Sequence, residues 1–177
     1  MGSAVTKCPI TGSYGRSFLK FKTALAGSFL SNSSDLTKEK VYPLTLSFYK
    51  ESSLVMVNER IAQEVLFSNY FYKSGDIPSL VKHFESLHNS LSRNLEFSKV
   101  LEIGCNDFSL LNLFHQTGCD VLGVDPCDIS LKYKISDDHL ENHFFNYDLS
   151  RKINQKKGTF DLVLSTNSFA HIDDVLS

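Results

Sequence analysis

The sequence has no excess of positive charge, no long apolar run and no closely spaced cysteine pair. Lysine and arginine total 18 against 20 aspartates and glutamates, a net charge of −2, so no nucleic-acid partner is expected. The N-terminal residues lack the unbroken apolar run of a signal peptide. No stretch of about 18 apolar residues occurs anywhere, so no membrane partner is expected either. The four cysteines include no C-x-x-C pair, which is typical of buried thiols in a reducing compartment. These absences predict a cytoplasmic protein.

The residues that are present suit an ordinary globular protein. The chain has 177 residues, of which 42% are hydrophobic and 12% aromatic, and this length fits one or two domains. Composition and periodicity change twice along the chain. We therefore predict a small β-rich module over residues 1–58, a helical linker region over 59–96 and an α/β segment over 97–177.

Short apolar runs and one helical period organise the first half of the chain. Residues 42–48 and 53–57 read as strands bounded by turns. From Asp76, apolar residues recur at spacings of three and four, which predicts an amphipathic helix to about Ser92 with Asp76 as N-cap and Pro78 in the first turn. We expect its apolar stripe to pack on the segment that follows.

Strand and helix patterns alternate in the second half. Apolar runs predict strands at residues 99–103, 120–124, 143–147 and 160–165, and a helical period covers 110–114. Strands that alternate with helices favour a parallel, doubly wound sheet.

The first two of these strands end in residues suited to a nucleotide-like ligand. Gly104 directly follows the first strand, where the absence of a side chain lets the backbone approach a ligand. Asp125 follows the second strand, where a carboxylate can bind both hydroxyls of a ribose. Only the first glycine of a G-x-G-x-x-G fingerprint is present, which disfavours a dinucleotide site.

The stretch Glu102-Ile-Gly-Cys-Asn-Asp107, followed by Gly123-Val-Asp-Pro126, resembles motif I and the acidic loop of class I S-adenosylmethionine-dependent methyltransferases. Three further stretches, at residues 42–46, at 66–75 with His83-Phe84, and at 167–172, are similar to the sugar C-methyltransferases that carry an N-terminal zinc-binding module. The resemblance implies a Rossmann-like sheet, S-adenosylmethionine as cofactor and a sugar nucleotide or another small molecule as methyl acceptor.

The resemblance also implies roles for individual residues. Those on the cofactor side are Glu102, Gly104, Asn106, Asp107 and Asp125. Those facing the acceptor are Tyr70, Tyr72 and His171, of which His171 is a candidate for proton transfer. The competing interpretation is structural: Glu102 in a salt bridge, Asp125 capping the next helix, and the aromatic residues packing.

Two departures from the family pattern concern individual residues. The positions aligned with the four zinc ligands are Cys8, Thr11, Tyr49 and Ser52, so only one thiolate remains and no zinc is expected. Phe108 replaces the last glycine of motif I, where its bulk is expected to fill part of the cofactor pocket.

His139 and His143 lie four apart, but without the metalloprotease pattern they predict no metal site.

The last departure concerns the extent of the sheet. The chain contains the first four strands expected of the fold, so we expect an incomplete sheet in which residues 160–165 form an exposed edge. Such an edge predicts self-association or a second chain that completes the sheet. The alternative to an active methyltransferase is therefore a catalytically inert binding module, or one subunit of a split enzyme.

Overall fold

The computed structural model describes residues 7–25, 32–59, 61–67 and 70–172. The chain divides into two compact units, Met1–Leu66 and Phe67–Ser177. Among the helices of the described ranges, none has the length and apolar character needed to span a membrane.

The first unit is built around an antiparallel sheet of three strands in the order β1-β2-β3. The strands are β1 (Arg16–Ala24), β2 (Val41–Tyr49) and β3 (Leu54–Val57). The strands predicted at residues 42–48 and 53–57 are confirmed, whereas β1 was missed because its lysines and serine interrupt the apolar run. A 3-10 helix, Ser33–Lys38, precedes β2, and a short helix α1 spans Gln63–Phe67.

An amphipathic helix, α2 (Pro78–Asn94), opens the regular structure of the second unit. Its proline occupies the first turn as predicted, but the N-cap is Ile77 and not Asp76. Asp76 is instead paired with Lys73, with 2.6 Å between the ammonium nitrogen and a carboxylate oxygen. The apolar stripe is confirmed, because Phe84 is buried and three leucines pack against the same core cluster.

The rest of the second unit alternates strands and helices around a parallel sheet, which confirms the predicted mixed α/β, Rossmann-like fold. The strands lie in the order β6-β5-β4-β7, and each neighbouring pair is parallel. The elements in chain order are β4 (Lys99–Ile103), α3 (Leu111–Gln116), β5 (Asp120–Val124), α4 (Asp128–Tyr133), β6 (Leu140–Glu141), α5 (Tyr147–Lys157) and β7 (Leu162–Leu164).

The third predicted strand, at residues 143–147, is wrong. The strand β6 comes earlier, and the predicted segment runs into α5 instead. The side chain of Asn146 caps that helix by accepting a hydrogen bond from the Leu149 N–H at 2.9 Å. The aromatic residues that favoured a strand therefore belong to a loop and a helix start.

Apolar side chains form one core cluster on each face of the sheet. The first contains Val100 and Val121 with residues of α2 and α3, and the second contains Leu101 and Leu122 with residues of α5. Helices thus cover both faces, as the doubly wound prediction requires. The strands β4, β5 and β6 follow one another towards one edge of the sheet, whereas β7 lies on the other side of β4. In such folds the ligand crevice lies where the strand order reverses in this way, between the carboxyl ends of β4 and β7.

Candidate active site

Gly104 forms the backbone turn at the carboxyl end of β4. Its φ is +80°, a conformation that favours glycine, and its N–H donates to the Val124 carbonyl at 2.7 Å. A Cβ on this residue would lie 2.0 Å from the hydroxyl oxygen of Ser168. Glycine is therefore required for both the turn and the close approach of the loop after β7.

Glu102 is a buried carboxyl group directly beside this turn. The residue is 2% exposed, and its Oε1 accepts a hydrogen bond from Thr166 at 3.4 Å. Its Oε2 is buried without a hydrogen-bond partner among the described residues. Desolvation, with smaller contributions from the charges of Asp125 and Asp107, raises the pKa of Glu102 to about 8. The group is consequently protonated at neutral pH, and the salt-bridge interpretation is not supported.

Asp125 directly follows β5 and is 5% exposed. Its Oδ2 accepts the Asn106 N–H at 2.9 Å, and its Oδ1 accepts the Cys127 N–H at 2.8 Å. Cys127, rather than Asp125, is the N-cap residue of α4. Asp125 therefore ties the turn after β4 to the start of α4, and each carboxylate oxygen keeps a lone pair for a further donor.

Asn106 and Asp107 lie in the turn after β4, and their side chains point to the segment that precedes α2. Asn106 Oδ1 accepts the Ser74 N–H at 3.0 Å, and its Nδ2 donates to the Tyr72 carbonyl at 2.9 Å. Asp107 Oδ2 accepts the Gly75 N–H at 2.7 Å. Both side chains thus bind backbone groups 30 or more residues earlier in the chain.

Phe108, which replaces the family glycine, adopts the left-handed backbone that a glycine would favour. Its φ is +61° and the residue is fully buried. The ring lies in the first core cluster, close enough to Gly123 of β5 that a Cβ there would be 3.1 Å from the ring's Cζ. The expectation that this side chain fills the cofactor pocket is therefore corrected: its bulk goes into the core.

Aromatic rings cluster beside the crevice. Tyr70 lies between Phe67 and Tyr72, with ring centroids 5.5 Å and 5.9 Å away, and Phe67 also packs edge-on against His171 at 5.4 Å. Partial burial, followed by the nearby Tyr72, Cys127 and Asp125, raises the pKa of Tyr70. The structure thus brings the three predicted acceptor-side residues into one cluster, with Tyr70 close to Asp125.

Sequence reasoning missed three contributors to this arrangement. Thr166 contacts Glu102, Ser168 lies against Gly104, and Phe67 joins the aromatic cluster. Thr166 and Ser168 follow β7 closely, so the rule that ligands bind beyond the carboxyl ends of parallel strands would have drawn attention to them. No local signal distinguishes Phe67 from an ordinary core residue.

The first unit brings together residues aligned with zinc ligands but does not offer a zinc site. Cys8 Sγ lies 3.2 Å from the Ser52 hydroxyl, and hydrogen bonds from Ser52 and Thr11 lower the pKa of the Cys8 thiol to about 7. Tyr49 is fully buried, and a Cβ on Gly15 would lie 2.7 Å from its ring. With one thiolate and a packed aromatic ring, these residues do not fit tetrahedral zinc.

Within residues 7–25, 32–59, 61–67 and 70–172, no group of three or more His, Cys, Asp or Glu side chains is placed to hold a metal ion. His139 belongs to a short 3-10 helix and packs its ring on His115, with 5.3 Å between the centroids. His143 lies beyond β6, so the two histidines do not share a helix face.

Comparison with known proteins places this geometry in a family. The profile of the methyltransferase domain matches residues 70–177, more than half of the chain. The C-methyltransferase NovU of Streptomyces niveus is 30% identical over 158 residues, which cover 86% of this chain and 37% of NovU. The chain thus spans well under half the length of that relative. The buried acidic groups at the ends of β4 and β5, together with the family match, show that the chain belongs to the class I S-adenosylmethionine-dependent methyltransferases.

Proposed function

We propose that the crevice at the carboxyl ends of β4 and β7, with Asp125 beside it at the end of β5, binds S-adenosylmethionine, and that the chain forms the cofactor-binding part of a C-methyltransferase acting on a small molecule. The observation that carries this proposal is the buried Glu102 carboxyl, whose Oε2 has no partner in the described part of the chain. A buried polar atom without a partner is costly. A positively charged or hydrogen-donating ligand at that atom would remove the cost.

The residues around the crevice fit the cofactor. Glu102 offers an oxygen to the ammonium group, and Asp125 has a remaining lone pair on each oxygen for the ribose hydroxyls. Gly104 adds no side chain of its own to this turn, and the Ser168 side chain lies against it. When bound, S-adenosylmethionine supplies a methyl group on a positively charged sulfur.

The acceptor is proposed to lie against the aromatic cluster of Tyr70, Tyr72 and His171. By resemblance to the sugar C-methyltransferases, its chemical class is a nucleotide-linked deoxysugar. Catalysis would rest mainly on holding the nucleophilic atom in line with the methyl group. His171, which lies on the exposed side of the cluster, is proposed to accept or donate a proton at the acceptor, because an imidazole nitrogen can act as a general acid or base.

Isothermal titration with S-adenosylhomocysteine tests the cofactor site without requiring an acceptor. We expect one site per chain, with affinity lowered at least tenfold in Glu102→Ala. The matched control is Asp161→Ala, because Asp161 is also a hydrogen-bonded carboxylate but lies at the amino end of the sheet, where it accepts the Ser98 and Lys99 N–H groups at 2.9 and 3.0 Å. A folded wild-type protein that fails to bind would refute the proposal and favour an inert binding module.

A further inference from the structure

We propose that Asn106 and Asp107 are positioning residues that fasten residues 70–75, here called the tyrosine segment, to the turn after β4. In this way they set Tyr70 and Tyr72 beside the crevice instead of binding the cofactor themselves. The inference rests on the proposed cofactor site, because it links that site to the acceptor side.

Both polar atoms of the Asn106 side chain bind the tyrosine segment. Its Oδ1 accepts from both the N–H and the hydroxyl of Ser74, at 3.0 and 3.4 Å, and its Nδ2 donates to the Tyr72 carbonyl. Its own backbone N–H donates to Asp125 Oδ2. One residue therefore joins the carboxylate proposed for the ribose to the backbone that carries Tyr72.

Asp107 provides a second attachment one residue further on. Its Oδ2 binds the Gly75 N–H, while its Oδ1 accepts from the N–H and the hydroxyl of Ser109 at 3.2 and 2.6 Å. A Cβ on Gly75 would lie 2.7 Å from the Ser109 hydroxyl oxygen, so a larger residue here would displace that hydroxyl. Asn106 Oδ1 and Asp107 Oδ1 each already accept two hydrogen bonds, which leaves neither oxygen a lone pair for a ligand.

The tyrosine segment depends on these attachments because regular backbone hydrogen bonding contributes little to it. Residues 70–73 have no regular secondary structure, and only a single 3-10 turn, Ser74–Asp76, follows before α2. The conformation of Tyr70 and Tyr72 is consequently set by a turn that also touches the proposed ribose site. Ligand binding at Asp125 is thereby expected to order the acceptor side.

Hydrogen exchange of the full chain, measured by mass spectrometry, tests this arrangement. Asn106→Gly keeps the left-handed backbone required by φ +48° and the N–H to Asp125, and removes only the side chain. We expect the Gly75 amide, whose own acceptor is untouched, to exchange about tenfold faster, equivalent to about 1.4 kcal/mol. Ser109→Ala is the matched control, since it removes a hydrogen bond to the same Asp107 carboxylate but none made by the tyrosine segment, and should leave the exchange rate within about twofold.

Saturating S-adenosylhomocysteine separates positioning from ligand binding. In the wild type we expect it to slow exchange across residues 72–75; in Asn106→Gly it should still bind but no longer protect them. Unchanged Gly75 exchange in Asn106→Gly would overturn the proposal, as would loss of affinity without any change in exchange. If the wild type does not bind S-adenosylhomocysteine, the proposed cofactor site is refuted. The exchange of Gly75 in ligand-free wild type and Asn106→Gly still tests whether Asn106 holds the tyrosine segment. If Asn106→Gly does not fold, Asp107→Asn replaces it, with the same expected acceleration at Gly75.

Discussion

The buried Glu102 makes the stability of the second unit depend on pH. Burial raises the pKa of this carboxyl from an ordinary value of 4.5 to about 8. The folded state therefore binds one more proton than the unfolded state between these two values. By linkage, the free energy of unfolding decreases as pH rises through this window. Glu102→Gln, a neutral side chain of similar shape, removes the titrating group and should remove this part of the pH dependence.

The expected size of the effect follows from the width of the window. Each pH unit between the two pKa values is worth about 1.4 kcal/mol, so the wild type should lose about 3 kcal/mol relative to Glu102→Gln between pH 5 and pH 7. The variant leaves an amide N–H near the position of Oε2, which costs about 1–3 kcal/mol at every pH. The difference in unfolding free energy between the variant and the wild type therefore has two parts. The cost of the unpaired amide is the same at every pH, so the slope of the difference against pH isolates the titration of Glu102.

Urea unfolding followed by ellipticity at 222 nm is a suitable assay, because four of the five described α-helices, α2 to α5, lie in the second unit. Glu85→Gln is the matched control: Glu85 lies on the exposed face of α2, so its difference from the wild type should be constant over the same pH range. A constant difference for Glu102→Gln as well would mean that Glu102 is ionised and paired when folded, and the reasoning about its burial would fail.

Four further outcomes are expected. Asp125→Ala should weaken S-adenosylhomocysteine binding by about 1.5–3 kcal/mol, roughly ten- to a hundredfold, in isothermal titration. Unchanged affinity would mean that Asp125 only stabilises the turn and does not bind the ribose. Phe108→Ala should lower the free energy of unfolding by about 3–5 kcal/mol in the urea assay, because the ring is fully buried; a loss below about 1 kcal/mol would contradict its place in the core. Elemental analysis of the purified chain should find no stoichiometric zinc, and one zinc per chain that disappears in Cys8→Ser would contradict the ligand argument. Val163, 55% exposed on the outer strand β7, should promote association through that edge, so Val163→Lys should lower the mass seen by light scattering, and equal masses would count against it.

Sequence patterns located most of the parallel sheet for a clear physical reason. A strand buried on both faces has a mostly continuous apolar run, which describes β4 and β5. The run of β7 is equally apolar, although Val163 is exposed. The failure at residues 143–147 comes from two opposing signals. Two phenylalanines favour a strand, whereas the side chain of Asn146 stabilises a helix start, and the cap decided the structure.

The candidate site, too, could be predicted only in part from the sequence. Asp125 could be placed from the sequence because it follows a predicted strand, and ligands bind beyond the carboxyl ends of parallel strands. Glu102 was predicted from the resemblance of residues 102–107 to motif I. The partners of Asn106 could not be predicted, since its side chain binds the backbone of Tyr72 and Ser74, more than 30 residues away. A polar side chain shows in the sequence what it can donate and accept, but the fold decides which backbone groups come within reach.

The conformation of Phe108 follows from comparing two energies, the strain of a left-handed backbone and the gain from burying the ring. A left-handed φ of +61° costs a residue other than glycine about 1–3 kcal/mol. Truncating a fully buried phenylalanine costs about 3–5 kcal/mol, so burial outweighs the strain and the phenylalanine can take the glycine conformation. Gly123 on β5 supplies the space for the ring. Because the backbone keeps a left-handed turn and the side chain points to the core, replacing the motif glycine does not by itself fill the crevice beside Glu102.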